Sequence, residues 1–254
     1  MQGVERDLRE NHGRAQQIDC RNSDQNGQAS EILSRVAGFL HSVLHYTRQL
    51  MPLSAIQIEK GLKHLRKSDP VMREVIRRAG PFTLKVKRDR FQALVHSILG
   101  QQISGKAALA VRRKLEELVG PDGMTPQYLS TLNHEVLRSA GLSKQKASYV
   151  LDLSQRVHVG TLPLERLVRL SDEAVIEALV EVKGIGVWTA HMFLIFSLGR
   201  LDVLPHGDYG VRSAIQKLYK LEELPDRETC HRIAEPWRPY ASIASWYCWR
   251  SLEL

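Results

Sequence analysis

Cysteine is scarce in this chain. Cys20, Cys230 and Cys248 are the only three in 254 residues, too few and too scattered for a disulfide framework or a zinc site. No stretch approaches the roughly 18 consecutive apolar residues of a membrane-spanning helix, and the first residues carry no apolar segment of the secretory type. The expected compartment is therefore a reducing cytoplasm. No unit of ~20–50 residues repeats along the chain. Strand patterning is nearly missing too. Only Pro81-Phe82-Thr83-Leu84-Lys85-Val86 alternates, and faintly, so an almost wholly helical protein is expected.

What is present is apolar material and positive charge. Hydrophobic residues make up 43% of the chain, enough for a packed core, and its length suits one large or two small domains. Lys and Arg number 36 against 28 Asp and Glu, a net charge of +8. That excess favours a polyanionic partner or an acidic surface.

Residues 1–28 hold few large apolar side chains and are expected to be disordered. Ile32, Leu33, Val36, Leu40, Val43 and Leu44 then form a helical stripe. Residues 29–55 read as an appended helix or as an untranslated leader, since Met51 makes a plausible start. From residue 56 to residue 254 the helical signals are continuous. Asp69-Pro70 marks a helix start. Phe91, Leu94, Val95, Ile98 and Leu99 share one face, and Ser104 caps the next helix. Gly120-Pro121-Asp122-Gly123 is a break. Thr125-Pro126, Asn133, Ser143 and Pro225-Asp226 mark further starts. Lys144, Gln145 and Lys146 sit in the first turn after Ser143, where cations oppose the helix dipole. A backbone phosphate would explain them, and so would a solvated basic turn. Three aromatics in four residues, Trp246, Tyr247 and Trp249, cannot share one helix face, so some line a cavity or an interface.

The stretch from Ser171 to Ser213 organises the rest. Ser171 reads as an N-cap with Asp172 and Glu173 in the first turn. Val175, Ile176, Leu179 and Val180 fall on one face. Lys183-Gly184-Ile185-Gly186 breaks the helix, and its two glycines allow positive φ and leave backbone N–H groups uncovered. An apolar run from Val187 to Leu198 suits a buried helix. Free N–H groups at its start make an anion site that a nucleic-acid phosphate fits without readout of sequence. A dinucleotide-binding turn is disfavoured, because Thr189 stands where the third glycine belongs and no alternating strand–helix pattern surrounds the site. Beyond this helix, Pro205 and Gly207 force an irregular turn, and Asp208 stands at the start of the next helix.

The pattern VKGIGVWTA, followed by that Gly/Pro-rich turn and Asp208, resembles the helix-hairpin-helix DNA glycosylase superfamily, and within it the bacterial 3-methyladenine DNA glycosylase II type. The resemblance runs from about Ile56 to Arg250. It implies an all-α fold of two helical subdomains with the active-site cleft between them. The three cysteines exclude the iron–sulfur cluster of the endonuclease III branch, and no room exists before Phe91 for the extra β domain of some relatives.

The resemblance also assigns roles. Asp208 matches the catalytic aspartate, which stabilises positive charge on the sugar and orients water. Bifunctional relatives carry a lysine nucleophile where this chain has Trp188, which cannot form a Schiff base. A monofunctional glycosylase without a lyase step follows. Trp188, Tyr209 and Trp246 match aromatic positions of the base pocket, and Met192 replaces a tyrosine there. Such a pocket suits alkylated, cationic purines of the 3-methyladenine and 7-methylguanine type, which stack on indole. Lys183, Gly184, Ile185, Gly186, Ser143 and Lys144 fall at DNA-binding positions. Gln102 or Ile103 falls where the family inserts a side chain into the stack as the base flips out. The chemistry requires no cofactor. A structural Na⁺ or K⁺ ion on the backbone carbonyls of Val180, Val182 and Ile185 is implied. The implied partner is damaged duplex DNA, bound by a monomer away from membranes. His96, His191 and His206 read as core histidines, with His206 close enough in sequence to tune Asp208. The competing readings are a non-catalytic helix-hairpin-helix DNA-binding protein and a glycosylase for other lesions such as hypoxanthine.

Overall fold

Helix starts in this protein are set by short polar side chains. Helix α1 (Ala55–Ser68) begins at Ser54, whose hydroxyl accepts the N–H of Gln57 while the Gln57 side chain reaches back to the Ser54 backbone. Asp69 ends α1 and caps α2 (Pro70–Ala79). Asp89 caps α3 (Arg90–Gly100), Ser104 caps α4 (Gly105–Val119), Thr125 caps α5 (Pro126–Thr131) and Asn133 caps α6 (His134–Ser139). Ser143 caps α7 (Lys144–His158) and Ser171 caps α8 (Asp172–Val180). Helix α9 (Val187–Phe196) starts at Gly186 with no side-chain cap. Asp208 caps α10 (Tyr209–Leu218), Asp226 caps α11 (Arg227–Ala234), and α12 (Ala241–Ser251) closes the chain. Among the described residues the structure is helical with no strand.

The computed structural model describes residues 54–121 and 123–254. They belong to one unit, Gln49–Leu254. The expectations for residues 1–28 and for the apolar stripe after them lie outside the described residues, as does Cys20. Cys230 and Cys248 are free and fully buried.

Two hydrophobic clusters form the interior. The first is contiguous in sequence and joins α3 to α9. It contains all five of the expected inward residues of α3, together with Leu115, Leu137, Val150, Val175, Leu179 and Leu194. The second joins both ends of the described chain, with Leu65, Met72 and Ile76 from α1 and α2 against Val211, Ile215, Trp237, Ile243 and Tyr247. Each fully buried Leu or Ile contributes about 1.5–3 kcal/mol. Trp249 packs against both clusters and so sits on the seam between them.

Buried polar groups fix the corners. Asp69, only 5% exposed, accepts the N–H groups of Val71 (2.8 Å) and Met72 (3.1 Å), the indole of Trp237 (2.8 Å) and the hydroxyl of Tyr219. Burial and the bond to Asp69 push the Tyr219 hydroxyl pKa upward, so it remains a donor. Arg200 is buried, pairs with Asp172 at 3.0 Å and donates to the carbonyls of Val168 (3.2 Å) and Leu170 (2.7 Å). This ties the start of α8 to the chain leaving α9.

The faint alternation at Pro81 reflects burial alone, and one local expectation, the face of Val180, needs correction. Pro81 to Val86 runs extended and alternates, with Phe82, Leu84 and Val86 more buried than their neighbours, but it forms no ladder. Its single backbone link to α9 is Lys87 N–H to the Phe196 carbonyl at 2.7 Å. Val180 does not share the buried face of α8. Val175 and Leu179 are fully buried while Val180 is 39% exposed, because α8 ends there and turns into the hairpin.

Candidate functional site

The hairpin between α8 and α9 is held from three directions. Gln101 donates its side-chain amide to the Gly184 carbonyl at 2.8 Å. Asp152 on α7 accepts the Lys183 N–H at 3.0 Å, with Arg156 on the same carboxylate oxygen at 3.1 Å. The ring of Tyr149 covers Gly184 so closely that a Cβ there would stand 2.1 Å from its Cδ2. Gly184 also has φ +80°. Gly186 differs. Its φ is −99° and its missing Cβ faces open space, so only one of the two glycines uses left-handed backbone. The first intrahelical bond of α9 runs from Ala190 to the Gly186 carbonyl. The N–H groups before it point out of an uncapped helix start, in the geometry that receives an anion.

The other DNA-facing candidates lie around the end of α3. Gln102 is exposed and adopts left-handed backbone with φ 55°, a conformation that costs a non-glycine residue energy. Ile103, beside it, is 39% exposed. Ser143 caps α7 by accepting the Lys146 N–H at 3.2 Å, and Lys144 is exposed. Lys146 turns inward instead and donates its ammonium to the Leu99 carbonyl at 2.8 Å.

Asp208 receives three hydrogen bonds. Its Oδ1 accepts the Val211 N–H at 2.9 Å, which caps α10, and the indole N–H of Trp249 at 2.8 Å. Its Oδ2 accepts the indole N–H of Trp188 at 2.7 Å. The cap and the indole bonds coexist on one carboxylate, so capping and a chemical role are not alternatives here. Trp188 comes from the first turn of α9 and Trp249 from the last turn of α12. Two helices from different clusters therefore aim the carboxylate from both sides. Gly210 makes room for this. A Cβ there would stand 3.0 Å from Trp249 Cδ1 and 3.1 Å from Asp208 Oδ1.

Beside Trp188 lies a cavity of about 370 Å³. Trp188, Met192 and Phe196 line it from α9, and His96 and Ser97 from α3. Phe196 stacks on Trp249 with centroids 5.6 Å apart, which joins the cavity wall to the second indole on Asp208. The volume falls at the lower end of the roughly 300–1,000 Å³ of small-ligand sites.

The aromatic assignments divide. Trp188 and Met192 meet at the cavity. Tyr209 is 72% exposed, directly after Asp208 at the start of α10. Trp246 packs elsewhere, edge-on to Phe82 and Tyr247 with Arg250 over its ring. Trp246, assigned to the base pocket, does not line this cavity, and Trp249, given no role from the sequence, bonds Asp208 instead. The crowding of aromatics in α12 signalled a split between faces, but only the packing of α12 on α10 decides which ring faces Asp208.

The histidines also gain neighbours. His191 is buried, its Nδ1 has no hydrogen-bond partner, and burial with His206, Arg227 and His231 nearby lowers its pKa to about 4. The His206 ring lies between His191 (5.3 Å) and His231 (5.1 Å), on the loop leading to Asp208. No group of His, Cys, Asp and Glu among the described residues converges on a metal position.

A hairpin with an uncapped helix start, an aspartate at a following loop–helix junction and an aromatic cavity are thus brought together in one helical unit. Residues 95–239 match the model of the HhH-GPD superfamily of base excision DNA repair proteins. This is more than half of the chain, and the chain belongs to that superfamily. It is 30% identical over 202 residues to DNA-3-methyladenine glycosylase 1 of Schizosaccharomyces pombe, covering 78% of this chain and 89% of the relative. Among solved structures, a 3-methyladenine DNA glycosylase of the same yeast in complex with abasic DNA superposes with a TM-score of 0.68 at 30% identity, over 77% of this chain and 97% of that one. A DNA-3-methyladenine glycosidase from Bacillus halodurans gives a TM-score of 0.69 at 38% identity, over 75% and 88% respectively.

Proposed function

We propose that this protein is a monofunctional DNA glycosylase of the 3-methyladenine glycosylase II type. It flips alkylated purines out of duplex DNA and hydrolyses their N-glycosidic bond. The observation that carries the reading is the Asp208 carboxylate held by the indoles of Trp188 and Trp249 at the edge of an aromatic cavity. The names and the DNA-bound state of the similar proteins support the same substrate class.

Duplex DNA docks its backbone on the N–H groups at the start of α9, and Gln102 or Ile103 fills the gap left by the flipped nucleotide. The base stacks on Trp188, where a cationic purine gains about 0.5–2 kcal/mol from the indole face. As the glycosidic bond breaks, positive charge spreads over the sugar. Asp208, preorganised by three donors, faces that charge and orients the attacking water. Its Oδ2 carries one of the three donors and Oδ1 two, which makes Oδ2 the oxygen with capacity left for water. No amine stands at residue 188 to attack the sugar, so the phosphodiester chain stays intact.

A monovalent cation on the carbonyls of Val180, Val182 and Ile185 belongs to this reading. The residues fit it. The carbonyls at a helix end lack intrahelical donors, and that of Val182, bonded to the Ile185 N–H at 3.0 Å, keeps a lone pair. An ion held by these carbonyls would add positive charge at the hairpin, where a DNA phosphate would dock.

The test is release of methylated bases from alkylated duplex DNA, wild type beside Asp208→Asn, with the strands checked for nicks. Release of 3-methyladenine or 7-methylguanine by wild type alone, on intact strands, is expected. Tight DNA binding with no release from a panel of lesions would instead identify a binding module.

A further inference from the structure

His96 is a polar ring in the wall of the cavity, and the excision chemistry leaves it without a task. It projects from α3, while Trp188, Met192 and Phe196 come from α9. Its side chain is only 13% exposed. Its Nε2 is fully buried and has no hydrogen-bond partner. Glu116 Oε1 on α4 lies 3.7 Å from it, and that oxygen already holds the Arg112 Nε at 2.7 Å.

This arrangement fixes the state of the ring. A carboxylate on the Nε2 side favours the tautomer with its proton on Nε2, which leaves Nδ1 as the acceptor. Burial, with Arg112 and Lys87 nearby, lowers the His96 pKa to about 4 against the opposing pull of Glu116 and Asp89. The imidazole therefore adds no positive charge to a wall that receives cationic bases.

We infer that His96 is a specificity-determining residue that offers position 6 of the bound base one hydrogen-bond acceptor and so favours adenine-type lesions, whose 6-amino group donates, over guanine- and hypoxanthine-type lesions, whose 6-oxo group accepts. The inference rests on the reading of this cavity as the base pocket. A wrong pairing there sets an acceptor against an acceptor out of water, and sites built to hydrogen-bond reject such substrates more strongly than apolar pockets do. Ser97, Thr189 and Ser197 also line the cavity, as does the exposed Lys87, whose ammonium reaches water. Hydroxyls serve as donor or acceptor, so they do not discriminate in this way.

The experiment measures single-turnover release of 3-methyladenine and of 7-methylguanine from the same alkylated duplex. His96→Leu is expected to lower the ratio of the two rates about tenfold, the worth of one hydrogen bond. His96→Asn, whose side-chain oxygen takes the place of Nδ1, is expected to restore the ratio to within about threefold of wild type. Glu116→Met, at a partly exposed position, removes the acceptor on the Nε2 side without touching the pocket and should lower the ratio in the same direction. An unchanged ratio in His96→Leu, with both bases still released, overturns the inference and leaves the glycosylase reading standing. If His96→Leu does not fold, an unchanged ratio in Glu116→Met has the same force. No release of either base by wild type overturns both.

Discussion

The indole N–H of Trp249 meets Asp208 Oδ1 at 2.8 Å, on the same oxygen that caps α10. The ring lies against Phe196 of the cavity wall. Trp249→Phe keeps an aromatic on Phe196 and removes the donor. A hydrogen bond to a charged group contributes about 1.5–3 kcal/mol, so base release should slow by roughly 10- to 100-fold. Affinity for lesion DNA should change little. Rapid-quench release beside a binding titration measures both, and full-rate turnover would remove Trp249 from the machinery.

Gly210 permits that contact. A methyl group there presses on Trp249 and Asp208 Oδ1 at 3.0–3.1 Å, although alanine in a helix is about 1 kcal/mol better than glycine. Gly210→Ala should therefore separate stability from activity. Its melting temperature should hold or rise, while its rate of base release falls several-fold.

Gly184 faces two penalties at once, its φ of +80° and the Tyr149 ring. Gly184→Ala should cost roughly 2–4 kcal/mol, from left-handed backbone strain and overpacking. Lesion-DNA affinity should fall with it, because the start of α9 shifts. Pairing it with Tyr149→Ala should return part of the stability but not the strain term. Chemical denaturation of both variants reads the difference.

Acid should destabilise the protein in a defined window. His191 ionises near pH 6.5 when unfolded and only near about pH 4 when folded, with burial as the main cause. Between these values the unfolded chain binds the extra proton. The stability contributed by the neutral form is complete above pH 6.5 and is lost as pH falls to about 4, on the order of 3 kcal/mol. His96 acts in the same direction. His191→Leu should flatten the fall in melting temperature between pH 7 and pH 4.5, and an unaltered slope would exclude His191 as a contributor.

Much of this was legible because helix starts are local. Ser104, Thr125, Asn133, Ser143, Ser171 and Asp226 all cap where the sequence places them. A cap needs only a side chain and backbone donors two or three residues on. The hairpin and Asp208 were legible through their order along the chain. The choice of Trp249 over Trp246 was not, since both lie in α12 and periodicity does not say which face meets α10. The extended run at Pro81 alternates like a strand because one side packs inward, and alternation does not supply a pairing partner. The neighbours of His96 were equally hidden, as Glu116 and Trp188 come from elements distant in sequence.

The second cluster draws on both ends of the described chain, and Asp69 ties them through Trp237 and Tyr219. During synthesis, the contiguous segment from α3 to α9 can bury its own core as soon as it leaves the ribosome. Helices α1 and α2 must wait for the last residues to arrive. Trp188 belongs to the early part, while Asp208 and Trp249 belong to the late part. The newborn chain thus acquires its hairpin before the carboxylate of Asp208 is fixed, and the arrangement that joins Trp188, Asp208 and Trp249 comes last.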